Sequence, residues 1–271
     1  MPPLPDFHLH LDVLSLIAVL AIGWWWAENR IRPLVAPDAP PATRVQRRAW
    51  YSGVLILLLA SGYPMHDLAE QTLFSFHMLE HMLIGYVVPP LLMVGTPRWL
   101  ADRTLGHPRI APVMRHIATP VVGFVTFNTA IVVIHWPAAV AWQNQNEWAH
   151  FLVHLMFFAT AILLWLPSFS PTNAIPRLGP AARIGYTFLN TLIPIVPASL
   201  LTFSDVALYP VYGDAPLTWG VTPVEDQTIA GIIMKLGGAF YLLGIIGRIW
   251  FKWIGEERSL DRLERELEPR P

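Results

Sequence analysis

The sequence predicts an all-α integral membrane protein with seven transmembrane helices. Hydrophobic residues make up 54% of the 271 residues and charged residues only 14%, whereas soluble domains are typically about 25% charged. The mean hydropathy is +0.45, and apolar stretches of about 20 residues, the length that spans a bilayer, recur along the chain. This composition excludes an ordinary soluble enzyme and a disordered chain. The net charge of -1 excludes a generally basic nucleic-acid-binding protein.

Seven apolar stretches are candidates for the spans, and prolines mark most of their ends. Pro64, Pro97, Pro137, Pro167 and Pro210 lie just beyond apolar stretches, where a helix is expected to stop. Paired prolines inside the third and sixth stretches predict kinks in those helices. The second stretch is short, so it either begins earlier in the chain or lies in a thinned part of the bilayer. The predicted spans are residues 9–26, 50–63, 77–95, 117–135, 148–166, 184–203 and 228–251.

The distribution of Lys and Arg predicts the orientation of the chain in the lipid bilayer. Seventeen of the 18 cationic residues follow spans one, three and five or lie toward the C-terminal end. The N-terminus and the other three connections carry none. Because cytoplasmic segments are enriched in Lys and Arg, we expect the N-terminus outside and the C-terminus in the cytoplasm. Such a regular alternation also supports a count of seven spans.

The pattern of spans indicates one membrane domain over residues 1–271, because no soluble domain or long linker interrupts it. Within this domain, residues 259–268 alternate charged residues with leucines. This pattern is typical of a short helix on the cytoplasmic surface of a membrane. The alternative is that these residues form the solvated end of the last helix.

Histidines concentrate on one side of the predicted membrane. Eight of the ten fall on the outer side. They include two pairs spaced four residues apart, at the outer starts of spans three and five. Residues at positions i and i+4 share a helix face, so each pair can offer two imidazoles to one metal ion. The predicted metal ligands are these pairs and the histidine that ends span four: His77, His81, His135, His150 and His154. The remaining outer histidines are His8, His10 and His66.

Copper, as Cu(I), is the metal that this set of side chains favours. Imidazole suits several transition metals, and thioether sulfur adds a preference for Cu(I). The absence of cysteine excludes disulfides, iron–sulfur clusters and thiolate-ligated zinc. Met78, Met82 and Met234 are candidate soft ligands, with simple packing in the core as the alternative for each.

Glu80 lies between two of the predicted ligands. The stretch His77-Met-Leu-Glu80-His81 fits the HxxEH pattern in which two histidines bind zinc and the glutamate activates water. A membrane metalloprotease is therefore a minor alternative to a protein that is not an enzyme. We interpret Glu80 as a residue that orients one of the imidazoles, or as an acid at the membrane interface.

Lys235 is the one cationic residue inside a predicted span. An intramembrane charge is costly and by default suggests a functional role. We expect Lys235 to pair with Asp226, with another outer acid or with a bound anion. The alternative is that its long side chain extends toward the outer surface.

Several motifs in order along the chain resemble the polytopic CtaG-type cytochrome c oxidase assembly factors of bacterial plasma membranes. The resemblance covers roughly residues 65 to 245. The motifs are His77-Met-Leu-Glu-His81-Met-Leu, Val88-Pro-Pro-Leu-Leu-Met-Val-Gly-Thr-Pro97, His135-Trp-Pro137, His150-x3-His154, Leu164-Trp-Leu-Pro167, Leu208-Tyr-Pro-Val-Tyr212 and Asp226-Gln227-x2-Ala-Gly-Ile-Ile-Met234.

The resemblance implies a seven-span membrane protein needed to build a haem-copper oxidase, with oxidase subunits as partners. Joined to the histidine pattern, it predicts an outward-facing His/Met site that accepts copper from a periplasmic or extracytoplasmic carrier and passes it on. Two alternatives remain open. Histidines on facing helices also ligate haem b, and a scaffold that holds oxidase subunits needs no metal.

Overall fold

The computed structural model describes residues 4–267, and all regular secondary structure in that range is helical. The all-α prediction is therefore confirmed for this part of the chain. The helices are α1 (Leu11–Val35), α2 (Arg44–Ser61), α3 (Met65–Gln71), α4 (Phe74–Gly95), α5 (Arg98–Arg103), α6 (Ala111–Ile117), α7 (Pro120–Ile134), α8 (Pro137–Asn144), α9 (Glu147–Phe169), α10 (Pro180–Leu189), α11 (Leu192–Phe203) and α12 (residues 223–267).

Five helical segments in this range are long and apolar enough to cross a membrane: α1, α4, α9, α10 continued by α11, and α12. Helices α6 and α7, bent by 64° at the break between them, are a sixth candidate. The second predicted span, residues 50–63, lies in α2 and is not among these candidates. Helix α2 begins with Arg44, Arg47 and Arg48, and these charges lower its hydropathy. The seventh span and the orientation of the chain stay predictions.

Helix α4 forms the centre of the bundle. In its most apolar stretch 72% of the residues are buried, against 39% or less in the other candidate spans. Its buried side chains pack with Phe127 of α7 and with Phe157 and Leu164 of α9. Large apolar side chains such as Val121, Leu200 and Phe240 point outward. This pattern of apolar residues both inside and outside fits a bundle surrounded by lipid.

The cation-rich end of the bundle is held by a buried carboxylate at Glu28. Its oxygens accept hydrogen bonds from the backbone N–H of Ala42 at 2.7 Å and from the indole N–H of Trp99 at 3.0 Å. The guanidinium of Arg32 lies 3.2 Å away and compensates the charge. Three segments of the chain thereby meet at one acid.

A π-helical turn, Leu83–Val87, interrupts the hydrogen-bond pattern of α4 just beyond the His77/His81 pair. The indole N–H of Trp165 on α9 donates to the carbonyl of Gly85 at 3.0 Å. A Cβ at position 85 would lie 2.7 Å from the ring of Phe157. The turn thus lets α4 and α9, the two helices that carry the histidine pairs, approach closely.

The C-terminal tail does not form a separate surface helix within the described residues. Helix α12 runs as Pro223–Ile232, a π-helical turn Ile233–Gly237, and Gly238–Leu267. Residues 259–267 are therefore the end of the last long helix, and residue 268 lies outside the described range. The alternative of a solvated helix end describes this arrangement better than the predicted surface helix.

The contact between α2 and α4 depends on Gly95. A Cβ at this position would lie 2.5 Å from the backbone nitrogen of Trp50, and the indole N–H of Trp24 donates to the Gly95 carbonyl at 3.2 Å. We expect Gly95→Ala to destabilise the fold by about 1–3 kcal/mol, because overpacking forces the helices apart. The measurement is the thermal unfolding midpoint in detergent. Gly244→Ala is the control, because a Cβ at position 244 would meet no neighbouring helix or side chain within 4 Å. An equal midpoint for both variants would contradict the prediction.

Candidate metal centre

Six histidines meet at the end of the bundle opposite Glu28. The sequence pairs do share helix faces: the ring centroids of His77 and His81 are 4.2 Å apart, and those of His150 and His154 are 4.3 Å apart. The two helices then bring the pairs together, because the Nε2 atoms of His81 and His154 are 3.4 Å apart. We call the following residues the histidine cluster: His66, His77, His81, His135, His150 and His154.

Three ligand atoms on the accessible side of the cluster converge. The Oε1 atom of Glu70 lies 3.2 Å from Nε2 of His66 and 2.7 Å from Nε2 of His150. One ligand atom from each residue lies within 4.8 Å of the other two. The two histidines are buried, and the Glu70 side chain is 28% exposed. We call this group the entrance triad.

The charges around His66 favour its protonated form. Burial disfavours the imidazolium, but the carboxylates of Glu80 and Glu70 outweigh this effect and raise the pKa of His66 to about 11. Burial likewise disfavours the Glu70 carboxylate, yet hydrogen bonds and charge from His150 and His66 hold the pKa of Glu70 well below its usual value. A metal ion bound here would replace the proton on Nε2 of His66.

Glu80 lies behind the entrance triad and is fully buried. Its carboxylate accepts a hydrogen bond from Nδ1 of His66 at 2.9 Å, and Nδ1 of His154 is 3.8 Å away. The contact with His66 fixes the ring so that Nε2 faces Glu70. A carboxylate that holds the second nitrogen of a histidine is typical of the surroundings of metal sites.

The inner part of the cluster contains imidazole nitrogens without a partner. Nδ1 of His77, Nδ1 of His81 and Nε2 of His135 are buried and make no hydrogen bond with any described residue. The Nδ1 atom of His135 lies 2.7 Å from the carbonyl of Ile131. A carbonyl only accepts, so Nδ1 carries the proton and Nε2 presents a lone pair. Buried, unpaired nitrogens of this kind are costly and are suited to bind a cation.

The three predicted methionine ligands lie in the apolar core. Met78, Met82 and Met234 are all buried among hydrophobic side chains. The polar contacts among the described residues include none between these sulfur atoms and an imidazole. The structure thus collects the predicted histidines but does not bring the methionines to them.

Asp226 anchors α4 instead of pairing with Lys235. Its carboxylate accepts the backbone N–H of Phe74 at 2.6 Å and that of Ser75 at 3.2 Å, together with the Ser75 hydroxyl. These are N–H groups that the first turn of a helix leaves unpaired. The ammonium of Lys235 lies 4.6 Å from the centre of the Phe203 ring. The expected pairing between Lys235 and Asp226 is therefore wrong.

Sequence reasoning missed the two entrance residues on α3. His66 and Glu70 are four residues apart, the same spacing that revealed the other pairs. This signal is weak in the sequence because α3 is a seven-residue helix between two long ones and carries one histidine rather than a pair.

Comparison with known proteins identifies relatives for most of the chain. The sequence profile of the cytochrome c oxidase caa3 assembly factor family matches residues 17–256. Uncharacterized proteins of Mycobacterium bovis and Mycobacterium tuberculosis are each 23% identical to this chain over 231 residues, which is 78% of this chain and 34% of theirs. An uncharacterized protein of Mycobacterium leprae is 23% identical over 267 residues, 91% of this chain and 40% of its own length. The chain thus spans well under half the length of these relatives. No solved structure matches it.

The anchoring role of Asp226 predicts a loss of stability on substitution. Asp226→Ala leaves the first N–H groups of α4 without an acceptor, which costs about 1–3 kcal/mol when such groups are buried. We expect a lower unfolding midpoint in detergent, with Asp226→Asn in between because its amide oxygen still accepts. The exposed Asp205→Ala is the control. A midpoint for Asp226→Ala equal to that of the control would rule out the anchoring role.

Proposed function

Since this chain belongs to the cytochrome c oxidase caa3 assembly factor family, we propose that it supports oxidase assembly by binding copper at the histidine cluster and passing it to an oxidase subunit. Copper is in this view a cargo and not a resident cofactor. The protein releases it unchanged and breaks no bond of a substrate.

The observation that carries this proposal is the entrance triad. Transition-metal ligands of the imidazole and carboxylate type lie about 2.0–2.2 Å from the ion, so ligand atoms on one ion are separated by roughly 3–4 Å. The three atoms of His66, Glu70 and His150 lie within 4.8 Å of one another. Small side-chain rotations therefore suffice to place all three on one ion.

The donor atoms bear on the oxidation state of the cargo. The entrance triad offers two nitrogens and one oxygen, and the His81/His154 contact offers two nitrogens. Imidazole suits copper, while soft thioethers would select Cu(I). Because Met78, Met82 and Met234 lie in the apolar core, the proposal does not depend on sulfur ligands. Copper binding is consequently measured with both Cu(I) and Cu(II).

The position of the triad suits a protein that must release what it binds. An open cavity of about 540 Å³ adjoins it and is lined by His66, Glu70 and His150 among others. Three protein ligands leave coordination positions free for an incoming or outgoing partner. We propose an extracytoplasmic copper carrier as the donor and an oxidase subunit as the acceptor.

The proposed location is the plasma membrane of a bacterium, with the histidine cluster on the outer side. Several apolar helices fit a multi-pass membrane protein, and the matched relatives are bacterial. The orientation rests on the distribution of Lys and Arg.

The first test measures metal binding by the purified protein in mild detergent. We expect the wild type to bind copper stoichiometrically after loading. His66→Asn and His150→Asn should weaken binding at least about tenfold, a typical effect of losing a group that holds a metal. The measurements are total metal content, the visible spectrum and a titration against a competing chelator. His116→Asn is the control, because His116 is exposed and contacts the Pro112 carbonyl.

Two results of this test would contradict the copper proposal. A Soret band in the wild type would favour the b-type haem alternative, in which facing histidines are the axial ligands. Absence of both copper and haem after loading would favour a metal-free scaffold for oxidase subunits.

Glu80→Gln separates an orienting role from a catalytic one. Because Glu80 holds Nδ1 of His66, we expect Glu80→Gln to weaken copper binding about 10–100-fold. In the metalloprotease alternative this variant would keep its metal and lose cleavage of a partner protein. The measurements are the copper affinity and the integrity of oxidase subunits in the same cells. The control is Glu225→Gln, a change at a fully exposed acid in the capping box of α12. Copper affinity equal to that of the control would exclude the orienting role.

A further inference from the structure

The N-terminal segment before α1, residues 4–10, lies across the end of the bundle that carries the histidine cluster. The hydroxyl of Tyr63 donates to the carbonyl of Pro5 at 3.3 Å, and the rings of Phe7 and Tyr63 meet edge to face at 5.1 Å. We call this segment the N-terminal strap. It brings His8 and His10 to Asp67, a residue about 60 positions away in the chain.

Asp67 has both carboxylate oxygens directed at the strap. Oδ1 lies 3.1 Å from Nδ1 of His8, and Oδ2 lies 3.2 Å from Nε2 of His10. Only 1% of the Asp67 side chain is exposed. A buried carboxylate requires a compensating partner, and the ion pairs of the described chain give Asp67 no Lys or Arg. Two imidazoles and one carboxylate are also a donor set for a transition-metal cation.

The strap residues continue directly into the entrance triad. The rings of His10 and His66 meet edge to face with centroids 4.8 Å apart. His8, His10 and Asp67 line the same cavity as His66, Glu70 and His150. Side-chain exposure falls along this series, from 57% at His8 to 20% at His10 and 9% at His66. The series thus leads from solvent to the buried cluster.

The charge of this face favours cations. Apart from Lys235, all Lys and Arg lie in the segments predicted to be cytoplasmic. The acids Asp67 and Glu70 line the cavity with Asp12. A cleft lined by one sign of charge raises the local concentration of counter-ions and the rate at which they bind.

We propose that His8, His10 and Asp67 form a capture site that takes up the copper ion and delivers it to His66, Glu70 and His150. This inference rests on the proposed function. It adds a second set of ligands and a direction of transfer.

The test measures how fast the full-length protein in detergent takes up Cu(I) from a colorimetric chelator. The double variant His8→Gln/His10→Gln keeps N–H donors for Asp67 but removes both imidazoles. We expect uptake to slow about tenfold, with the same final amount of copper bound. Tyr63→Phe loosens the strap without removing a ligand, so its uptake should match the wild type. His107→Gln, at an exposed histidine distant from the cavity, is the control for the substitution itself.

A second measurement isolates the capture site. In a His66→Asn/His150→Asn background, added Cu(II) should give an electron paramagnetic resonance signal with nitrogen coupling. Adding His8→Gln/His10→Gln should abolish that signal. Its persistence would overturn the capture site.

The outcomes distinguish this inference from the proposed function. If the wild type binds copper but His8→Gln/His10→Gln takes it up at the same rate, only the capture site is refuted. Equal slowing by Tyr63→Phe also refutes it, because the strap would then act structurally. If the wild type binds no copper, the proposed function is refuted and the capture site with it.

Discussion

The structure depends on a carboxylate placed where a charge is most costly. Glu80 is completely buried in the central helix α4, and burial of an unpaired carboxylate carries a large desolvation penalty. The nearest relief is the imidazole of His66 on α3, with His154 on α9 a little further away. Compensation of this one charge therefore draws two other helices against α4. The convergence of histidines follows from it, since these helices carry three more cluster residues.

A second buried acid sets the position of that central helix. Asp226 binds the first N–H groups of α4 from α12, 151 residues further along the chain. The π-helical turn beyond the histidine pair then adjusts the approach of α4 to α9 through the Gly85 carbonyl and Trp165. π-helical turns occur frequently at functional sites because they displace one turn of side chains. The His77/His81 pair is thus fixed at both ends by contacts that contain no histidine.

The cluster divides into two parts with different chemistry. The entrance triad contains a carboxylate and borders an open cavity, while His77, His81 and His135 form a buried part with unpaired nitrogens. An ion held by partly exposed ligands exchanges more readily than one enclosed by protein, because an incoming ligand can reach it. A protein proposed to receive and release a metal benefits from the first kind of site. The family membership and this geometry are independent observations that are consistent with the same role.

The sequence by itself determined the helical membrane class, the family, and which helices carry paired histidines. Composition and the i, i+4 spacing are local properties, so they are readable without a fold. It failed where partners come from distant segments. Asp226 pairs with the start of α4 and not with Lys235, the methionines face the core, and His66 and Glu70 enter the site from a short helix. Only the tertiary structure decided these points, because a buried polar group takes whichever partner packing brings within about 3 Å, and sequence separation carries no information about that distance.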